Sequence, residues 1–148
     1  MKNKCELPEF STPKKEIVNL LKNSKTIAVV GLSSNPEKDS YHVAEYLLKQ
    51  GYEVIPINPN QEEILGRKSY PSLMAIPEDI KIDIVDIFRK PEDVPPVVDE
   101  AIKRGARAVW MQEGIVNNVS GKKAKAKGLV VVMGKCIMKT HFEIQIEK

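Results

Sequence analysis

Three stretches of the chain repeat one pattern: a helix-forming segment rich in lysine or arginine, then a glycine, then a mostly apolar run. They read EYLLKQG-YEVIPI, EAIKRG-ARAVWM and KAKAKG-LVVVM, with the glycines at Gly51, Gly105 and Gly128. A glycine directly after a helix closes the last turn in the left-handed conformation, and cations in that turn suit the negative end of the helix dipole. Each unit therefore predicts a helix, its end and a following strand.

This pattern predicts strands and helices that alternate along most of the chain. Strands are predicted over 26–30, 53–57, 82–88, 107–111 and 129–133, and helices near 13–23, 41–50 and 94–102. Four of the strands are apolar runs without clean alternation, which is typical of parallel strands buried on both faces. The pattern fails between 57 and 82, where loops and one short helix near 73–76 are expected. We therefore expect one doubly wound α/β domain over residues 1–148, in which residues 1–25 form a helical N-terminal extension.

Composition excludes several classes of protein. Of the 148 residues, 42% are apolar and 29% charged, which is a globular composition, and the net charge of +3 is too scattered to favour nucleic-acid binding. No apolar run approaches the ~18 residues of a membrane-spanning helix. The first residues lack the apolar segment of a secretory signal, so a cytoplasmic location is expected. Cys5 and Cys136 lack CxxC spacing, so neither a disulfide framework nor a zinc site is expected.

The loop after the first predicted strand has the features of a phosphate site. In an open α/β sheet, ligands bind beyond the carboxyl ends of the strands, where the strand order reverses. Gly31 permits a tight turn, and the next helix offers N–H groups with partial positive charge. Hydroxyl groups come from Ser33, Ser34 and Ser40. The segment has neither GxGxxG nor a Walker sequence, so on these residues alone it is either a phosphate-binding loop or an ordinary turn.

The ends of the second and third strands bear on which nucleotide would bind. NAD-binding domains place Asp or Glu after the second strand to bind the ribose 2′-hydroxyl, whereas this chain has Asn58, which disfavours plain NAD. Arg89 and Lys90 follow the third strand and offer charge for a phosphate, because the planar arginine fork binds two oxygens. The alternative for these two cations is a solvated pair near a helix start.

Other polar and aromatic residues are interpreted as structural. His42 is expected at the surface, His141 has no evident partner, and Trp110 is expected in the core. Asp83 and Asp86 are expected on one strand face, and they are interpreted as hydrogen-bonding residues, not as a catalytic acid pair. The sequence contains no nucleophile elbow, HExxH sequence or metal-ligand cluster, so neither a catalytic residue nor a metal site is assigned.

At these loops the chain resembles the small stand-alone CoA-binding proteins, whose fold is similar to the CoA-binding domain of the succinyl-CoA synthetase alpha subunit. The matching stretches are AVVGLSSNPEKDSYHVAEYLLKQGYEVIPINP, EEILGRKSYPSL, IDIVDIFRKPEDVPPVVDEAI, GARAVWMQEGIVN and GLVVVMGKCI, which extend from about residue 26 to 138. The combined order of these motifs carries the resemblance.

The resemblance implies a five-stranded Rossmann-like parallel sheet with strand order 3-2-1-4-5 and coenzyme A as the ligand. The implied contacts are the first loop at Gly31, Ser33, Ser34 and Ser40, the nucleotide end at Asn58 and Pro59, a Phe-Arg pair at Phe88 and Arg89, and a turn at Gln112 and Gly114. Members of this family often have an Asp-Arg pair before the late cysteine, and this chain has Gly134 and Lys135 there.

The leading hypothesis is a non-catalytic module that binds CoA or acyl-CoA as a carrier, sensor or regulator. The alternative is an enzyme that uses the same cleft, either NAD(P)-dependent or acting on acyl-CoA. The one candidate for its reactive group is Cys136, whose thiol could exchange disulfide with CoA, although a buried core cysteine is the simpler interpretation. Neither nucleic acid nor membrane is an expected partner. The sequence leaves open the partner protein, the oligomeric state, and whether the N-terminal segment caps the sheet or meets another subunit.

Overall fold

A computed structural model of the chain describes residues 6–146, and a five-stranded parallel sheet lies at its centre. The strands are β1 (Thr26–Val30), β2 (Glu53–Ile57), β3 (Glu63–Ile64), β4 (Arg67–Lys68), β5 (Ile84–Ile87), β6 (Ala108–Met111) and β7 (Val130–Val132), of which β3 and β4 form a separate hairpin. The α-helices are α1 (Lys14–Asn23), α2 (Asp39–Lys49), α3 (Val94–Lys103), α4 (Asn118–Ala126) and α5 (Ile137–Ile146). The predicted fold class and the five main strands are confirmed, whereas α5 and the hairpin have no counterpart in the sequence prediction.

The sheet order is β2-β1-β5-β6-β7, which differs from the expected 3-2-1-4-5 in the place of the third strand. That strand is β5, and it pairs with β1 instead of lying outside β2. The outer edge of β2 cannot hold a full strand, because Pro56 has no outward N–H to donate. Tyr70 alone fills this edge: its N–H donates to the Pro56 carbonyl at 3.0 Å, and its carbonyl accepts from the Asn58 N–H at 2.9 Å. Pro71 follows at once and interrupts further pairing.

Helices cover both faces of the sheet, and each face has its own core. Helices α1, α2 and α5 pack on one face over residues such as Val29 and Trp110, and α3 and α4 pack on the other face over residues such as Val85. Every residue of β5 and β6 is buried, which accounts for the unbroken apolar run of β6 and for the apolar residues on both faces of β5. Trp110 is fully buried and its Nε1–H donates to the Lys135 carbonyl at 2.9 Å, which confirms it as a core residue.

The three predicted helix ends share one hydrogen-bond pattern. All three glycines have positive φ. After α2, the Gly51 N–H donates to the Leu48 carbonyl and the Tyr52 N–H donates to the Leu47 carbonyl, and α3 and α4 end in the same way. These bonds satisfy carbonyl groups that a helix otherwise leaves unpaired at its end. The repeat in the sequence is therefore a repeat of helix ends that lead into buried strands.

The N-terminal segment packs along α4 and the edge strand β7. Glu6 Oε1 accepts hydrogen bonds from the backbone and side-chain N–H groups of Asn118, each at 3.0 Å, and the Thr12 hydroxyl donates to the Val131 carbonyl. The described residues of this segment therefore lie against the edge of the sheet. Cys5 and the rest of residues 1–5 lie outside the described residues.

The two aspartates near the third strand have opposite environments. The Asp83 carboxylate accepts hydrogen bonds from the N–H groups of Lys25 and Thr26 at 2.8 and 3.0 Å, which confirms its structural role. Asp86 is fully buried, and neither carboxyl oxygen has a hydrogen-bond partner among the described residues. The expectation that the two side chains share a strand face is wrong, because strand residues three apart point to opposite sides. The interpretation of Asp86 as a hydrogen-bonding residue is wrong as well, since no described residue pairs with its carboxyl oxygens. Burial raises the pKa of Asp86 well above its usual value.

A close backbone contact holds the point at which the strand order reverses. Val30, the last residue of β1, is level with Ile87 of β5, and the Phe88 N–H donates to the Val30 carbonyl at 2.8 Å. Gly31 has a φ of +85°, and a Cβ placed on it would lie 2.3 Å from the Phe88 carbonyl oxygen. Because only glycine fits here, the chain after β1 and the chain after β5 can meet directly.

We expect Gly31→Ala to lower the free energy of unfolding by about 3 kcal/mol or more, because the methyl group collides with the Phe88 carbonyl and alanine is strained at positive φ. Gly128→Ala is the matched control, since Gly128 has a φ of +90° and nothing within 4 Å of its Cβ position. It should lose only ~1–2 kcal/mol of conformational energy. Urea unfolding measures both losses, and equal losses would show that Phe88 does not constrain position 31.

The buried carboxyl predicts an unusual dependence of stability on pH. The pKa of Asp86 is raised in the folded state, so folding favours its protonated carboxyl. The contribution of this carboxyl to the free energy of unfolding is fully present below the unfolded-state pKa of about 3.9, and it is lost as the pH rises through the folded-state pKa. Asp86→Asn should therefore be more stable than wild type at pH 7, and the difference should shrink as the pH approaches 4. Urea unfolding of both proteins at several pH values measures this difference in stability.

Asp83→Asn is the control for this experiment. It weakens the charge-assisted hydrogen bonds to Lys25 and Thr26, so it should lower the free energy of unfolding at pH 7 by about 1–3 kcal/mol. A stability difference between Asp86→Asn and wild type that stays constant from pH 4 to pH 7 would contradict the prediction.

Candidate functional site

The loops that carry the sequence motifs lie along one edge of the sheet. Val30, Ile57, Ile87 and Met111 end their strands at the same level of the ladder. The ladder extends one residue further, since the Gly31 N–H donates to the Ile57 carbonyl at 3.0 Å. The stretches that follow β1, β2, β5 and β6 therefore meet at the carboxyl edge. The reversal of strand order lies between β1 and β5, which is where open α/β sheets bind ligands.

The serine hydroxyls of the first loop hold the loop itself. The Ser33 N–H donates to Ser40 Oγ at 2.9 Å, and the Asn35 N–H donates to Ser33 Oγ at 3.0 Å. The Glu37 N–H donates to Asn35 Oδ1 at 2.9 Å. Ser40 is buried, whereas Ser34 is exposed. Ser33 and Ser40 therefore shape the loop, and Ser34 is the serine most open to an incoming ligand.

Helix α2 begins at Asp39, directly after the first loop. Lys38 occupies the N-cap position and its side chain makes no capping hydrogen bond, so no N-cap side chain covers the first N–H groups of the helix. These N–H groups suit an anion. The carboxylate of Asp39 lies in the same first turn and offsets part of their positive potential. His42 is exposed, which confirms the expectation of a surface residue.

Asn58 connects the ends of β1 and β2 through its side chain. Its Nδ2–H donates to the Leu32 carbonyl at 3.0 Å, and its Oδ1 accepts from the Asn60 N–H at 2.8 Å. Protein groups therefore already engage the amide that was expected at the nucleotide end of the ligand. Pro59, the next residue, is exposed and presents the surface at this position.

A cleft of about 240 Å³ opens where the ends of β1 and β2 face α3. We call it the proline cleft, because Pro59 and Pro71 line it together with Arg89. Asp93 and Glu100 also line it. Two of the expected site residues, Pro59 and Arg89, are thus brought together.

A second cleft, of about 300 Å³, lies on the opposite face of the sheet, between α2 and the start of α5. We call it the thiol cleft; its lining includes His42, Val43, Phe88, Gln112, Cys136 and Lys139. Phe88 and Arg89 are consecutive, so their side chains point to opposite sides of the sheet and enter different clefts. Four of the expected site residues therefore line these clefts, with Pro59 and Arg89 on one face of the sheet and Phe88 and Gln112 on the other.

Gln112 is held in a single orientation at the bottom of the thiol cleft. Only 3% of its surface is exposed, and its Oε1 accepts from the Ile137 N–H at 3.1 Å. Its Nε2 has no hydrogen-bond partner within residues 6–146, and the protein does not fully enclose this atom. The Nε2 therefore faces the cleft. Gly114 lies in the expected turn, which the Ile115 N–H closes by donating to the Gln112 carbonyl at 2.8 Å.

An exposed ion pair lies at the mouth of the thiol cleft. Lys139 Nζ donates to Glu113 Oε1 at 3.1 Å, and the side chains are 63% and 64% exposed. The hydrogen bond and the charge of Glu113 raise the pKa of Lys139. Pairs this exposed contribute little to stability, so an anionic ligand can compete for the ammonium group.

Met138 and Lys139 were not expected at the site, because helix α5 was not predicted from the sequence. The signal was present, since Ile137, His141 and Ile144 have helical spacing and all three are buried. The polar His141 obscured it. The interpretation of His141 as partnerless is wrong, because its Nδ1 lies 2.7 Å from the Tyr46 hydroxyl oxygen.

Other features of the described structure lie away from this edge. A cavity of about 250 Å³ near Tyr52 and His141, at the amino end of the sheet, is lined by none of the expected site residues. Within residues 6–146, no three or more His, Cys, Asp or Glu side chains are grouped so as to hold a metal ion. None of the described helices has the length and apolar character to cross a membrane.

Known proteins resemble this chain over most of its length. A protein family described as the CoA binding domain matches residues 25–142. The uncharacterized protein YneT of Bacillus subtilis is 43% identical over 128 residues, which cover 86% of this chain and 93% of YneT. A hypothetical protein from Pyrococcus horikoshii, whose structure is solved, is 41% identical with a TM-score of 0.88, and the match covers 98% of this chain and 99% of that one.

A longer relative is the ADP-forming acetate–CoA ligase II of Archaeoglobus fulgidus. It is 32% identical over 93 residues, which cover 61% of this chain but only 14% of the ligase. This chain therefore resembles a small part of that enzyme. Since the family match extends from residue 25 to residue 142, the expected family is confirmed: the chain belongs to the CoA binding domain family.

Proposed function

We propose that this chain binds coenzyme A or an acyl-CoA across the carboxyl edge of its sheet, as a module without a reaction of its own. The observation that carries the proposal is that the family's motifs, which are far apart in sequence, meet at the reversal of strand order. Two of the clefts at that edge lie on opposite faces of the sheet. An elongated ligand with a nucleotide at one end and a flexible arm at the other can reach both.

The nucleotide end belongs in the proline cleft. Pro59 and Pro71 offer apolar surface to the adenine, and Arg89 offers its planar fork to a phosphate on the ribose. The carboxylate of Asp93 lines the same cleft and could accept a hydrogen bond from the exocyclic amine of adenine. Arg89 would then bind a phosphate, which is the role expected from its place after the third strand.

The diphosphate belongs at the start of α2, beside the Gly31–Phe88 contact. No N-cap side chain covers the first N–H groups of that helix, and Ser34 is exposed next to them. From there the pantetheine arm crosses to the thiol cleft, where Phe88 and Met138 provide apolar contacts. The free Nε2–H of Gln112 suits a carbonyl oxygen of the arm.

The chain is much smaller than the ligases, which agrees with a role in which it binds CoA without catalysing a ligation. The chain spans about 14% of the length of the Archaeoglobus ligase, so ligation would need further parts. A carrier, sensor or regulatory role in the cytoplasm is proposed instead, with no nucleic acid or membrane as a partner. The alternative of an NAD-dependent enzyme is disfavoured, because Asn58 is engaged by Leu32 and Asn60 and leaves no carboxylate for the ribose diol.

The test is calorimetric titration of ligand-stripped protein with CoA, dephospho-CoA, NAD⁺ and NADP⁺. We expect CoA to bind with a dissociation constant of about 1–100 μM, and Arg89→Ala to weaken CoA at least ~10-fold by removing a charge-assisted contact. Dephospho-CoA should bind wild type and Arg89→Ala equally if Arg89 contacts the ribose phosphate. The matched control is Arg67→Ala on the β3–β4 hairpin. It removes an arginine that pairs with Glu53 of β2, and it should leave CoA binding unchanged.

Two outcomes would contradict the proposal. Binding of NAD⁺ or NADP⁺ without binding of CoA would favour the redox alternative. An equal loss of CoA affinity in Arg89→Ala and Arg67→Ala would mean that the arginine effect is general electrostatics and that the proline cleft is not the nucleotide end.

A further inference from the structure

The thiol of Cys136 lies where the end of a ligand in the thiol cleft would reach it. Cys136 lines that cleft and directly precedes α5, whose first hydrogen bond runs from the Thr140 N–H to the Cys136 carbonyl at 3.0 Å. It is a free cysteine within the described residues, and 8% of its surface is exposed. Exposure that small restricts the thiol to partners that enter the cleft.

A second residue of the cleft points to the same kind of ligand. Gln112 is 97% buried, yet its Nε2 has no partner among the described residues and opens into the cleft beside Cys136. The Ile137 N–H, which directly follows Cys136 in the chain, fixes the amide by donating to Oε1 at 3.1 Å. Because this donor is open to the cleft, a ligand bound there can supply the acceptor that the protein does not. A carbonyl group of a pantetheine arm is such an acceptor.

The walls and charges of the cleft suit the end of a pantetheine arm. Val43, Phe88 and Met138 are apolar, and a volume of about 300 Å³ is at the small end of ligand pockets. Lys139 lies one turn along α5 from the thiol. Its ammonium group is exposed at the mouth of the cleft, where it pairs with Glu113.

We propose that Cys136 is a site of thiol–disulfide exchange with CoA disulfide, by which this chain becomes covalently loaded with CoA. The inference rests on the proposed function, since the arm must enter the thiol cleft. The Cys136 thiolate attacks one sulfur of CoA disulfide, the S–S bond of that disulfide breaks, and a new S–S bond joins Cys136 Sγ to one CoA. The other CoA leaves as a thiolate and takes up the proton that Cys136 gave up.

This exchange makes the chain responsive to the oxidation state of the CoA pool. Cys136 is oxidised and one half of CoA disulfide is reduced, so no other oxidant is needed. A free thiol reverses the reaction. Reduced CoA binds to the same cleft without a covalent bond, and CoA disulfide converts that binding into a loaded state.

The experiment uses the Cys5→Ser variant, in which Cys136 is the one remaining cysteine of the sequence. Incubation with CoA disulfide should add the mass of one CoA moiety, observed by intact-protein mass spectrometry and removed by dithiothreitol. Cys5→Ser/Cys136→Ser should gain no mass, and its urea unfolding should show that it is as well folded as Cys5→Ser. Oxidised glutathione at the same concentration should label Cys136 at least ~10-fold more slowly, because it lacks the nucleotide that directs binding.

Gln112→Glu tests the positioning role of the amide. It keeps an acceptor for the Ile137 N–H and removes the free Nε2–H donors, so labelling by CoA disulfide should slow about 10-fold. Labelling by the small disulfide cystamine reports the intrinsic reactivity of the thiol, and the effect on CoA disulfide should exceed the effect on cystamine. Equal slowing with both reagents would overturn the role of Gln112 as a ligand contact.

The outcomes separate this inference from the proposed function. If reduced CoA binds but CoA disulfide adds no mass, the exchange at Cys136 is overturned and the binding function stands. If glutathione disulfide labels as fast as CoA disulfide, Cys136 is an unselective thiol and the inference is also overturned. If reduced CoA does not bind at all, the proposed function fails, and the inference fails with it.

Discussion

The approach of the Gly31 backbone to the Phe88 carbonyl is the contact on which the arrangement of the site depends. With a Cβ position 2.3 Å from that oxygen, residue 31 must be glycine for the chains after β1 and β5 to lie side by side. This contact sits at the reversal of strand order, where α2 packs on one face of the sheet and α3 on the other. Phe88 and Arg89 are consecutive residues after β5, and they line clefts on opposite faces of the sheet.

Several groups that look like ligand contacts in the sequence instead hold the scaffold. Ser33 and Ser40 accept backbone N–H groups of their own loop, and Asn58 connects two loops through its amide. Their hydrogen bonds organise the backbone, whereas Ser34 is exposed, Pro59 and Arg89 line an open cleft, and the Nε2 of Gln112 faces another. This is a common consequence of burial, since polar groups near a core are engaged by the protein before a ligand arrives.

The core contains one conspicuous exception to that rule. Asp83 is paired with two backbone N–H groups, whereas Asp86, on the same segment, is enclosed between apolar side chains without a partner among the described residues. Desolvation raises the pKa of its carboxyl and favours the protonated form. The strand sequence IDIVDIF does not reveal this difference, because it depends on which loop or helix packs over each position.

The local sequence by itself determined the fold class, the five main strands, three helix ends and the family. Helix periodicity, a glycine stop and an apolar run are short-range signals, and the family motifs add their fixed order. Only the tertiary structure decided the position of β5 beside β1, because strand order depends on Pro56 and Tyr70 closing the outer edge of β2. It also decided that Pro59 and Arg89 line one cleft and that Phe88, Gln112 and Cys136 line another. These residues are distant in the chain, and no local pattern encodes which of them meet when α5 packs against the sheet.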